Sequence, residues 1–160
     1  MDLSDSAFPD EWQTDDPSPA DVRLAAALAQ RLDAVVPQPF SVRADGGYVI
    51  LSEAGSWCLS AGAHLGVDQE IEPEETDPRW TFSGRAAGVA WSALSTVQDV
   101  IARSTTEPWP QLPQGGQANP GTRTDGQRVF LWYGPDHKRE DGAVLTLPPI
   151  LLSELNPSDD

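Results

Sequence analysis

Apolar residues recur at helical spacing in two stretches of the chain. Between residues 18 and 37, Val22, Ala25, Ala29, Leu32 and Val36 form one stripe, widened by Leu28 and Val35. Arg23, Gln30, Arg31 and Asp33 lie mostly off it. Ser18 is placed to cap this helix, Pro19 suits its first position, and Asp21 holds the acid position of a capping box. Pro37 is expected to end it. A second helix is predicted over Arg85–Arg103, with Ala86, Ala90, Leu94, Val97 and Ile101 buried and Trp91 and Val100 at the edges. Gly88 weakens it, and Arg103 suits the last turn, where a cation complements the helix dipole.

Strand signals fill much of the remainder. Phe40–Ala44 and Tyr48–Ser52 flank Asp45-Gly46-Gly47, a hairpin turn by its composition. A third short strand is expected near Trp57–Ala61. Arg79–Ser83 suits a short strand or an extended lead-in. Arg128–Tyr133 is a strand by its β-branched and aromatic content, and Ala143–Leu147 is its expected return. Gly134–Gly142 is the charged loop between them. Pro148-Pro149 is expected to stop pairing, leaving Ile150–Leu152 as a short packed segment.

The order is α-β-β-(β)-α-β-β. Consecutive hairpins predict an α+β fold: an antiparallel sheet of about four or five strands with both helices on one face. The halves share a helix followed by a hairpin, without a residue-level repeat. The predicted divisions are an acidic, disordered tail at 1–17, a single domain at 18–155 and a second acidic tail at 156–160. Within the tail, Phe8 and Trp12 are spaced to anchor a short helix. Residues 104–127 are rich in Pro, Gly and small polar residues and are predicted to form one long loop.

Charge sharpens this picture. The chain of 160 residues carries a formal charge of −15. Residues 1–21 hold seven acids and no base, residues 68–77 six acids and no base, and residues 154–160 three acids and no base. The remaining residues are nearly balanced. Localised acid disfavours non-specific binding to nucleic acid or anionic membrane. The arginines are scattered singly and make no phosphate-binding stripe. No stretch approaches the length of a membrane span, and the acidic start has no signal-peptide pattern, so a cytoplasmic protein is expected. Six tryptophans supply large buriable surface, so the core needs no staple. The one cysteine, Cys58, sits among apolar and small residues as a buried hydrophobe would.

The chain lacks the patterns that carry known chemistry. G-x-S-x-G, the P-loop, C-x-x-C, H-E-x-x-H and the EF-hand are absent, and Lys138 is the only lysine. His64 lies near Asp68 and Glu70, but the spacing matches no metal site. His137 follows Asp136 at a charged hairpin tip, where no pocket shifts a pKa for acid–base work. No cofactor or metal is expected.

Two surfaces stand out as candidate protein contacts. One is the acidic run Asp68, Glu70, Glu72, Glu74, Glu75 and Asp77, interrupted by Ile71 and Pro73. It is either a solvated loop or a surface that steers toward a basic partner. The other is Trp109, held between Pro108 and Pro110, with Leu112 beside it. The flanking prolines lower the entropy lost on docking, whether Trp109 docks on its own core or on a partner. The expected role is a non-enzymatic protein-binding domain: an adaptor, a chaperone-like partner or an immunity-type inhibitor. The alternatives are a small enzyme whose site assembles from distant residues, and an acidic nucleic-acid mimic. Self-association through a sheet edge is a further possibility.

Overall fold

Ser18 starts the first helix as the sequence predicts. Its Oγ accepts from Asp21 N at 3.1 Å, and Asp21 Oδ2 accepts from Ser18 N at 3.1 Å. These reciprocal bonds satisfy two donors that a helix N-terminus leaves orphaned. The helix, α1, spans Pro19–Asp33. Strands β1 (Phe40–Asp45), β2 (Tyr48–Glu53) and β3 (Ser56–Gly62) follow, then α2 (Phe82–Thr105). Strands β4 (Asn119–Thr124), β5 (Arg128–Gly134) and β6 (Leu145–Leu151) lead into a short final helix, α3 (Leu152–Leu155). The computed structural model describes residues 18–62 and 82–155. The tails expected at 1–17 and 156–160 lie outside these residues, as do His64 and the acidic run 68–77.

The α+β class holds, but the strands are arranged differently from the expected single sheet. They form two antiparallel three-stranded sheets, ordered β1-β2-β3 and β4-β5-β6. The chain therefore runs helix, three-stranded meander, helix, three-stranded meander. Packing on α2 explains why β3 and β4 do not join. Gln98 Nε2 donates to Ala118 O, and Trp91 Nε1 donates to Pro120 O at 3.1 Å. These are acceptors that a strand added beside β4 would need. Thr122 Oγ1 completes the attachment by donating to Ala87 O at 3.0 Å.

One core serves both halves. Leu24, Leu28 and Leu32 of α1 meet Val42 and Leu51 of the first sheet, Leu94 and Ile101 of α2, and Leu131, Tyr133 and Ile150 of the second. Helix α1 packs on β1, β2 and β6, and α2 packs on β3, β4 and β5. The second-helix stripe is as predicted: Ala86, Ala90, Leu94, Val97 and Ile101 are all buried. The first is rotated slightly, because Leu24 is buried while Val22 is exposed.

Four further expectations are corrected. The segment 104–127 contains β4, whose proline and glycine hid it. Its Pro120 faces away from β5, so the missing N–H breaks no ladder bond. Strand β6 does not stop at Pro148-Pro149, since Ile150 pairs with Val129 and Leu151 with Arg128 beyond them, after a register shift. Helix α1 ends at Asp33, ahead of Pro37, with Ala34 as its C-cap. Helix α2 begins at Phe82, so Phe82 and Ser83 are helical and not a strand.

Candidate protein-contact surface

Trp109 turns back toward its own core. It is half-buried and stands edge-on to Tyr133, with ring centroids 5.3 Å apart at 62°. Tyr133 is fully buried, and its hydroxyl donates to Leu94 O at 2.7 Å. Burial pushes its phenol pKa well above the ordinary value of 10.0. Leu112 is also half-buried against the core. The segment that carries both is tied into a small turn. Ala118 N donates to Pro110 O at 2.8 Å, Leu112 N to Gly116 O at 2.9 Å and Gly115 N to Leu112 O at 2.9 Å. Part of each side chain is thus spent on the core, and the rest remains at the surface.

Larger exposed aromatics lie on the first sheet. Register places Tyr48, Ile50 and Ser52 on one face of β2, with Val49 and Leu51 facing the core. On the outer face Tyr48 is 51% exposed. A bulge in β3 makes Trp57 the partner of Ser52, while Leu59 still pairs with Leu51. The shift leaves Cys58 as the extra residue and brings Trp57 to the same face as Tyr48. Trp57 is 65% exposed, the largest value among the exposed large apolar side chains of the described residues. Ile50 lies between them, itself buried but outside the core cluster. Arg43 and Asp45 of β1 border this face and approach each other at 3.8 Å. Tyr48 and Trp57 stand roughly 13 Å apart along the strand direction.

The outer face of the second sheet is closed instead of open. Trp132 is fully buried there, and its Nε1 donates to Asp136 O at 3.0 Å. Gly121 lies opposite it on β4 with no side chain to separate the backbone from the indole. Phe130 is covered by the guanidinium of Arg123 at 4.1 Å and that of Arg128 at 4.9 Å. Asp125 anchors the β4–β5 turn by accepting from Gln127 N at 2.9 Å, Arg128 N at 2.8 Å and Arg128 Nη2 at 2.9 Å. Those backbone and guanidinium donors lower its pKa to about 2.

Among the described residues, the chemistry-bearing side chains form no cluster. His137 is exposed in the β5–β6 loop, where Asp136 Oδ1 is bonded to Lys138 N at 2.8 Å. The side chain of Cys58 is not among those described. Among the described residues, no group of three or more His, Cys, Asp or Glu is placed to hold a metal ion. No helix among them is long and apolar enough to cross a membrane.

Sequence reasoning singled out Trp109 and Leu112 and passed over Tyr48 and Trp57. The available signal was alternation: Tyr48, Ile50 and Ser52 share a face opposite to Val49 and Leu51. Placing Trp57 on that face also required the bulge, which the sequence does not mark. No family model, no curated protein and no solved structure matches this chain.

Proposed function

We propose that the chain is a protein-binding domain and not an enzyme, with the outer face of the first sheet as its contact surface. One observation carries the reading: Trp57 and Tyr48, at 65% and 51% exposure, share one face of a sheet. Exposed aromatics on a common face mark interaction sites, and Trp and Tyr are the side chains on which binding energy concentrates. A sheet presents them with little entropy left to lose on docking.

The partner that suits this chemistry has an apolar contact region and a net basic charge. The rings of Tyr48 and Trp57 supply the apolar side. The carboxylates of Asp68, Glu70, Glu72, Glu74, Glu75 and Asp77, within a chain of charge −15, favour encounter with a cationic surface. Trp109 and Leu112 rank second as contacts, because each gives part of its surface to the core. An adaptor, a chaperone-like partner and an immunity-type inhibitor all fall within this reading.

Affinity capture from the native host tests it, with wild type beside Trp57→Ala, Tyr48→Ala and a variant neutralised at the six acids. The expected result is a stoichiometric protein retained by wild type and lost from both aromatic variants. The acid-neutralised variant should bind with weaker dependence on salt. A partner held equally by wild type and both aromatic variants would move the contact off this face.

A further inference from the structure

Unpaired sheet edges invite strand addition, and proteins blunt them. The two sheets have edges at β1, β3, β4 and β6. Side chains of α2 occupy acceptors on β4, as described above. The last turn of α1 and the segment just after it close two more. On β6, Arg31 Nε donates to Pro148 O at 2.6 Å and Nη2 to Pro149 O at 2.9 Å. On β1, Phe40 N donates to Pro37 O at 2.9 Å, and Val42 N donates to Asp33 Oδ1 at 2.9 Å. Antiparallel alternation turns the amide of Ala44 to the same outer edge. Asp33 therefore holds the middle of three outward donors.

We propose that Asp33 is an edge guard, and that it keeps β1 from pairing with β1 of a second copy of this chain. The strand suits itself as a partner. An antiparallel register centred on Ala44 sets Arg43 of each copy opposite Asp45 of the other, matching opposite charges across the pair. In that register the outward amides and carbonyls of Ala44 face one another, the arrangement a two-fold strand pair requires. With Asp33 in place, its carboxylate sits on Val42 N, the outward donor next to the Ala44 pair, and adds a negative charge at the edge where the second copy would approach.

The test is the light-scattering mass of the full chain as concentration rises. It compares wild type, Asp33→Ala, Asp33→Asn and Asp33→Ala/Arg43→Glu, with circular dichroism recorded on each. Asp33 and Arg43 are both exposed, so these changes leave the core intact. The expected result is that Asp33→Ala alone climbs toward twice the monomer mass. Asp33→Asn keeps an acceptor oxygen for Val42 and should follow wild type. Arg43→Glu would face Asp45 of the other copy and should return the double variant to wild-type behaviour. The proposal is overturned if Asp33→Ala follows wild type at every concentration, or if the double variant still associates. Loss of helical signal in Asp33→Ala would also overturn it, because Asp33 would then hold the fold and not the edge.

Discussion

The indole of Trp109 meets the ring of Tyr133 edge-on, 5.3 Å between centroids, where α2, β5 and the 107–118 turn come together. Tyr133 in turn is bonded to Leu94 O. Trp109 thus closes the core at its margin, and this contact makes its first role structural.

Removing Trp109 should therefore cost stability. Trp109→Ala is expected to lose about 2–3 kcal/mol, below the range for a fully buried aromatic because the ring is half-exposed. Tyr133→Phe should lose about 1 kcal/mol by leaving Leu94 O without its side-chain donor. Urea unfolding measures both. A Trp109→Ala midpoint equal to wild type would show that the ring contributes nothing to the core.

Two glycines should respond to alanine with opposite sign. A Cβ at Gly121 would overlap Trp132 Cε2, and the indole is fully buried with no room to retreat. Gly121→Ala is expected to destabilise by about 3 kcal/mol or more, the upper end for overpacking. A Cβ at Gly88 would meet nothing within 4 Å on an exposed turn of α2. Gly88→Ala should stabilise by roughly 0.5–1 kcal/mol through helix propensity. Thermal melts of the pair decide both signs at once.

Asp125 gives a prediction in acid. Its folded-state pKa, about 2, lies below the ordinary 3.8. A depressed carboxylate contributes stability that is present above the unfolded value and lost as pH falls through the folded one. The contribution should therefore fade between about pH 4 and pH 2. Carboxyl NMR should place the Asp125 midpoint near the bottom of that window. In Asp125→Asn the corresponding part of the acid-range loss should vanish. A midpoint near 3.8 would show that the turn's donors do not hold the carboxylate.

The elements that repay reading from sequence are those where local chemistry and burial agree. The capping box at Ser18 and Asp21, the α2 stripe and the Gly46-Gly47 turn all follow from adjacent residues. Gly46, with φ of 59°, adopts the left-handed conformation that its turn requires. Strand β4 was hidden because Asn119–Thr124 shows no apolar alternation. It forms because β5 supplies the ladder, α2 supplies partners for its outer edge, and Gly121 makes room for Trp132. Pro148-Pro149 misled in the same way: an edge strand tolerates proline when another group, here Arg31, uses its carbonyls. Burial lowers the Arg31 pKa below its ordinary value, with nearby Glu154 opposing the shift. The candidate contact face was the least legible part, since Trp57 reaches it only through a bulge that no turn or breaker residue marks in the sequence.

Trp57 and Trp109 differ in one way that experiment can separate. Trp57 touches solvent more than protein, so Trp57→Ala should change folding stability by less than about 0.5 kcal/mol. Its expected effect is on binding, a loss of about tenfold or more in affinity, the scale of an aromatic hot spot.

The most direct test is the dissociation constant of the captured partner for Trp57→Ala and Trp109→Ala, at a temperature where both variants are folded. A large loss in Trp57→Ala with unchanged unfolding, beside near wild-type binding by folded Trp109→Ala, is the predicted result. Wild-type binding by Trp57→Ala and lost binding by Trp109→Ala would contradict the account and place the contact on the 107–118 turn.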